Sequence, residues 1–425
     1  MARFIYTLVV IALLPWALIH LVWRARRQPE YLIHWGERFG FFEHVATVSP
    51  TPTIWIHAVS VGETRAAQPL VAALKADYPD HRILFTHMTP TGRATSEEIF
   101  GGSVDRIYLP YDTPWAMRRF IAHFRPRFGL IMETELWPNL IATCHACRVP
   151  LLLVNARLSE RSAQRYARFA ALTRGALQGL SYVGAQSTQD VERLESLGAT
   201  AISLTGNIKF DLEPPAAQLA LGQEFRSRIG KRQMWLAAST REGEEALILD
   251  AWRKVGGGNT ATNSLLAIVP RHPQRFDEVV RLATERGFAV QRRSENSDVL
   301  PQTDILIGDS MGEMFAWYAA ADVAFIGGSL LDYGSQNLIE ACSVGTPVLI
   351  GPSTRNFAEA AREAQACGAA LSIHTAEELI QRVAELLADP QQRQLMRDAG
   401  LAFAQRHRGA TEKTMALIRR TLAAR

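Results

Sequence analysis

Two doubly wound α/β domains behind an apolar amino-terminal segment are the architecture this sequence predicts. Three observations lead there. Strand and helix patterns alternate from Thr53 to residue 204, and a second alternating series runs from Met234 to Ile350. Between them, residues 205–232 break the pattern, with Pro214-Pro215 forbidding a continuous helix through the break. Ahead of both series, Phe4–Trp23 contains no formally charged side chain. Hydrophobic content of 48% against 21% charged residues describes a folded chain, and 425 residues suit two domains rather than one. The formal net charge of +4 is too small to imply nucleic-acid binding.

The first twenty apolar positions just suffice to cross a bilayer core. No small-residue cleavage site follows, so a retained anchor is expected rather than a removed signal peptide. Arg24, Arg26 and Arg27 flank it and direct the bulk of the protein to the cytoplasm. Pro15 and His20 weaken the span, which leaves a helix lying in the interface as the alternative. Tyr31–Phe42 then mixes aromatics with positive charge, as either a packed helix and loop or a lipid-docking patch.

Strands are expected at 53–58, 82–87, 105–109, 128–132, 151–154, 181–185 and 201–204, with helices between most of them. In the second series they fall at 234–239, 265–269, 304–307, 323–326 and 348–350. Beyond about Ala376 only helices are expected. Runs apolar on both faces, alternating with helices, read as parallel sheets covered on both sides. The resulting boundaries are 1–29 for the anchor, 30–212 for the first domain, 213–231 for a linker, 232–405 for the second domain and 406–425 for a terminal helix. Two such domains would face each other across a cleft suited to a two-substrate transferase.

Cysteines number four and are scattered, too few for a disulfide framework. Cys144 and Cys147 have half of a zinc-site spacing, but no second pair completes it and the segment reads as helix.

Chemistry-bearing residues collect where strands end. Ser60-Val61-Gly62-Glu63 closes the first strand and opens a helix, at the edge where open α/β sheets bind ligands. Glu63 reads either as an active-site carboxylate or as a helix first-turn acid favoured by the dipole, with Arg65 its one local cationic neighbour. Glu133-Thr134-Glu135 follows the strand at 128–132. Glu135 reads as a cap for the next helix, and Glu133 as the better catalytic candidate. Lys209, in Gly206-Asn207-Ile208-Lys209-Phe210-Asp211, either faces an anionic substrate or pairs with Asp211. In the second domain Arg271 offers a donor fork for phosphate, with His272 beside it. Gly308–Met314 reads as a helix start with an anion-binding end, and Gly334–Glu340 as another, with Glu340 able to accept ribose hydroxyls. No P-loop pattern and no Asp-x-Asp metal cluster occurs.

Taken together these strings resemble the 3-deoxy-D-manno-octulosonic acid (Kdo) transferases of Gram-negative bacteria, glycosyltransferases of the GT-B fold. The resemblance runs nearly the whole chain, through SVGET, His87–Gly92, METELWPN, Asn155–Ser162, GNIKFD, STREGEE, PRHP, MGEM and GGSL in family order. It implies inverting transfer of Kdo from CMP-Kdo to the tetra-acylated lipid A precursor, in lipopolysaccharide core biosynthesis at the cytoplasmic face of the inner membrane. No cofactor, metal or nucleic acid is implied. The first domain would bind the acceptor and the second the CMP-sugar. Glu63 would be the proton acceptor, with Glu133 and Lys209 acting on the transition state. CMP contacts would come from Arg271 and His272, from Met311, Gly312 and Glu313, and from Asn337, Leu338, Ile339 and Glu340. The chain departs from the family at Gly334-Ser335-Gln336-Asn337, where many members have Gly-Gly-His-Asn, which puts the shape of that loop in question. The alternatives are a membrane-bound glycosyltransferase with another donor, and a two-domain binding protein without catalysis.

Overall fold

The computed structural model describes residues 1–26, 28–42, 51–211, 213–256 and 264–423; Arg27, one of the three flanking arginines, lies outside them. Two units are formed, residues 1–211 with 408–425, and residues 212–407.

The first unit holds a seven-stranded, all-parallel sheet: β1 (Thr53–His57), β2 (Arg82–His87), β3 (Asp105–Tyr108), β4 (Pro126–Met132), β5 (Leu151–Ala156), β6 (Tyr182–Ala185) and β7 (Ile202–Leu204). Its order, β3-β2-β1-β4-β5-β6-β7, reverses direction between β1 and β4. Such a reversal opens a crevice at the carboxyl ends of the two strands. β1 shows why the sequence folds this way. Ile54 and Ile56 enter one hydrophobic cluster and Trp55 the other, so both faces of the strand are buried and the run is apolar throughout. Trp55 needs room on β4: a side chain at Gly129 would place its Cβ 2.4 Å from the indole.

The second unit repeats the plan with β8 (Gln233–Thr240), β9 (Ser264–Pro270), β10 (Val290–Arg292), β11 (Ile305–Ile307), β12 (Val323–Ile326), β13 (Val348–Ile350) and β14 (Ala370–Ser372). Their order is β10-β11-β9-β8-β12-β13-β14, all parallel, with the reversal between β8 and β12. β10 and β14 were not expected from the sequence. Each is a three-residue edge strand with little or no buried apolar run, so periodicity gives no signal there. The segment 213–231 carries the helix Ala216–Ile229, which begins directly after the two prolines and packs on helix Met314–Ala320 within this unit. The helices Ala376–Ala388, Pro390–Arg406 and Ala410–Ala423 end the chain as expected. The last of them returns to the first unit, where Asp211 accepts hydrogen bonds from the amides of Gly409 (2.6 Å) and Thr411.

Candidate active site

At the β1–β4 reversal, Ser60 caps the short helix Val61–Ala66 and Glu63 occupies its third position. The two side chains answer each other. Ser60 Oγ accepts from the Glu63 amide at 3.3 Å and donates to Glu63 Oε1 at 2.7 Å. The Val59 amide donates to the other carboxylate oxygen at 2.7 Å. This is a helix-capping arrangement, and capping by itself would hold the carboxylate ionised. Burial overrides it. Glu63 is 8% exposed, and desolvation pushes its carboxyl up to about 7 against the pull of Ser60 and Val59, with the charges of Glu133 and Glu135 adding to the rise. Its local cationic neighbour, Arg65, turns away to Glu98 at 3.8 Å.

Glu133 directly follows β4 with φ +56°, a left-handed conformation that is costly for a residue with a Cβ. Its carboxylate accepts from Lys209 Nζ at 2.7 Å. The alternative pairing of Lys209 with Asp211 does not form, because Asp211 holds the start of the terminal helix. Glu135 does not cap the helix Pro138–Ala146 either. Asp112 does, accepting from the amides of Asn139 at 3.0 Å and Leu140 at 2.8 Å. Glu135 is instead a second carboxyl raised by burial and by the charge of Glu133. Glu63, Glu133 and Lys209 therefore share one site.

Three supporting residues lie in the strings His87–Gly92 and Asn155–Ser162, to which the sequence assigned no role. Asn155 is fully buried at the end of β5, with φ +54°, and its Oδ1 accepts from the Ile208 amide at 2.9 Å, which fixes the segment bearing Lys209. His87 and Thr89 hold the Glu63 loop from the β2 side: Nδ1 of His87 lies 2.9 Å from the Ala58 carbonyl, and the Thr89 hydroxyl donates to Val59 O at 3.2 Å. Only the sheet brings these groups together, so spacing along the chain carries no sign of it.

In the second unit the charge of Arg271 acts on both His272 and Glu340, while Met311–Glu313 lie in the loop after β11. Glu244 is fully buried and accepts from the amides of Arg241 (2.9 Å), Gly328 (2.7 Å) and Leu330 (3.0 Å), tying the loops after β8 and β12 together. Arg275 is held in a fork by Glu245 at 2.7 and 3.1 Å. Burial lowers the His272 imidazole, and the charges of Arg241, Arg271 and Arg275 lower it further. Burial pushes Glu340 up to about 7, opposed by its hydrogen bond from Asn337 (3.2 Å) and by the charge of Arg271.

Two helix starts differ from expectation. Residues 308–313 form a loop, the helix opens only at Met314, and Glu313 is engaged by Arg293 and Ser310. Likewise the helix after Gly334 spans only Ile339–Ser343, with Leu338 and Ile339 themselves fully buried, so contact with a ligand there falls to Asn337, Glu340 and main chain. The unusual Ser335 sits at φ +64° and is 1% exposed, which explains why glycine suits this position. Ser335→Val is expected to cost about 2 kcal/mol and lower the thermal unfolding midpoint, whereas Ser335→Gly should stay within about 1 kcal/mol of the parent.

Comparison with known proteins decides the family. Residues 33–212 match the family model described as 3-deoxy-D-manno-octulosonic-acid transferase (kdotransferase), and residues 285–402 match glycosyl transferases group 1. The chain is 44% identical to the 3-deoxy-D-manno-octulosonic acid transferase of Bordetella pertussis, over 98% of each chain. The chain belongs to the Kdo transferase family. It is 37% identical to the Haemophilus influenzae transferase over 99% of this chain and 98% of that one. Among solved structures, a glycosyltransferase from Rickettsia africae matches 88% of this chain and 99% of its own, with a TM-score of 0.53 at 13% identity, which speaks to the fold alone. The protein is thus a glycosyltransferase of lipopolysaccharide biosynthesis, with the two Rossmann-like units of the GT-B type. Among the described residues, no group of three His, Cys, Asp or Glu side chains is placed to hold a metal ion.

Proposed function

We propose that the protein transfers Kdo from CMP-Kdo to a hydroxyl of the tetra-acylated lipid A precursor, with inversion, while anchored at the cytoplasmic face of the inner membrane. Glu63 accepts the hydroxyl proton as the new C–O bond forms at the anomeric carbon. The bond to the CMP phosphate breaks at the same centre, and CMP leaves as an anion. A buried carboxyl pushed up to about 7, in one site with the Glu133–Lys209 pair, is the observation that carries this reading. Its proton affinity suits a base at neutral pH, where a normal carboxylate would be too weak. Lys209 stabilises developing charge near the donor carboxylate, and Glu133 orients Lys209. The leaving phosphate is already a good anion, so positive charge around Arg271 and His272 matters more than a general acid. Met311–Glu313 and Asn337–Glu340 complete the CMP contacts, with Glu340 accepting ribose hydroxyls. Apolar residues 4–23 and the cationic flank support the membrane assignment.

The test is incubation with CMP-Kdo and the lipid A precursor, followed by mass spectrometry of the lipid. A mass gain in Kdo steps supports the assignment, and a product only with another nucleotide sugar overturns it. The pH profile is a separate check. The active form of Glu63 is deprotonated, so kcat/KM should be level well above pH 7 and fall about tenfold per unit well below it. A flat profile from pH 5 to 8 would exclude Glu63 as the base.

A further inference from the structure

We infer that the amino-terminal helix lies in the plane of a single leaflet, clamped along its length to the first unit, and does not cross the bilayer. This rests on the reading above that the segment meets a membrane. The helix Ala2–Ala25 is 24 residues long with mean hydropathy 2.3, enough by length and composition to span. Its packing argues otherwise. Thr7, Val10, Leu14, Ala17, Leu21 and Ala25 recur at intervals of three and four and form its least exposed stripe. Leu21 and Ala25 are buried at one end. At the other, the Tyr6 hydroxyl donates to Asp112 Oδ2 at 2.9 Å and the Thr7 hydroxyl donates to Asn139 Oδ1 at 3.0 Å. The helix also packs on helices Pro138–Ala146 and Ala170–Gly179.

Nineteen residues separate Tyr6 from Ala25, a rise of about 28 Å, close to the whole hydrocarbon thickness of about 30 Å. A helix crossing on its own would put those ends on opposite sides of the membrane. The folded unit holds the first end through Asp112 and Asn139, and twelve residues beyond Ala25 the chain is back inside the same unit, at the buried Glu37 and Arg38. Asp112 is 2% exposed and also caps the helix Pro138–Ala146, so its carboxylate cannot be moved into hydrocarbon without stranding that helix end.

The opposite stripe identifies the partner as lipid. Phe4, Leu8, Trp16, Ile19 and Trp23 are each more than half exposed, on a face free of charge. Arg24 and Arg26 follow at the carboxyl end of the helix, where their charges can reach headgroups, while Arg3 lies on the packed side with Thr7 and Asn139. Leu32, Ile33, Trp35 and Phe41, all exposed, extend apolar surface into the next segment.

Added cysteines at Arg3→Cys and Arg26→Cys, each in a Cys147→Ser/Cys367→Ser background that leaves only the buried Cys144 and Cys342, test the topology in the full-length protein. A membrane-impermeant maleimide is applied to right-side-out and inverted inner-membrane vesicles. The in-plane helix predicts that both positions label from the same side, within about threefold of each other. Labelling of residue 3 from one side and residue 26 from the other would overturn the inference while leaving the membrane reading intact. A chain that does not float with vesicles of mixed zwitterionic and anionic phospholipid, and self-associates instead, would assign the exposed face to a second copy and overturn both.

Discussion

Glu63→Ala and Glu63→Gln are each expected to lower kcat by about 10³-fold while leaving the affinity for CMP within about twofold. The two substitutions separate the roles that this side chain combines. Gln retains an oxygen to accept from the Val59 amide or Ser60, so the cap persists while the proton affinity is lost. Ala removes both carboxylate contacts and leaves Ser60 to cap the helix alone, which should cost about 1 kcal/mol of stability in addition. Isothermal calorimetry with CMP and a product assay with CMP-Kdo, run on the same preparations, give the two readouts. Nucleotide affinity should survive because the residues assigned to CMP belong to the second unit, with their own sheet and core. If Glu63→Gln turns over at the parental rate, the base lies elsewhere and Glu63 is a capping residue only.

Substitutions at the Lys209–Glu133 pair should move the acid limb of the pH profile in opposite directions. Lys209→Met is expected to lower kcat by about 10²-fold, the scale for removing one well-placed stabilising group. It also leaves the Glu133 charge unpaired beside Glu63, so protonation of Glu63 is favoured and the limb moves to higher pH. Glu133→Gln removes one of the charges that push Glu63 up, so its limb moves to lower pH. Its kcat should still fall, because Lys209 loses the partner 2.7 Å away that orients it. Limbs that move together, or not at all, would mean that the pair is not coupled to Glu63.

Much of this site was legible in the sequence, for a physical reason. A strand in a parallel sheet is buried on both faces and its carboxyl end is where helices begin. An apolar run followed by Ser, Gly and an acid therefore marks both the element and the edge, as at β1 and Glu63. The partner of Lys209 was not legible. Asp211, two residues away, is the obvious candidate along the chain, yet the carboxylate that reaches it lies 76 positions earlier on β4. The cap of the helix Pro138–Ala146 went the same way, from nearby Glu135 to Asp112. Helix starts in the second unit were misjudged because Gly-rich turns permit a helix without requiring one, and tertiary packing delayed it to Met314 and Ile339.

Composition and periodicity by themselves determined two parallel sheets, the break between them, an apolar leading helix, and the carboxylates that stand at strand ends. These are properties of local sequence, since each depends on which side chains a strand or helix can bury. Only the tertiary structure decided which of those groups meet, how far burial raises Glu63, and that the leading helix is held near its amino-terminal end by Asp112 and Asn139. Those outcomes depend on desolvation and on contacts between residues far apart in the chain, and neither is encoded in any short stretch of it.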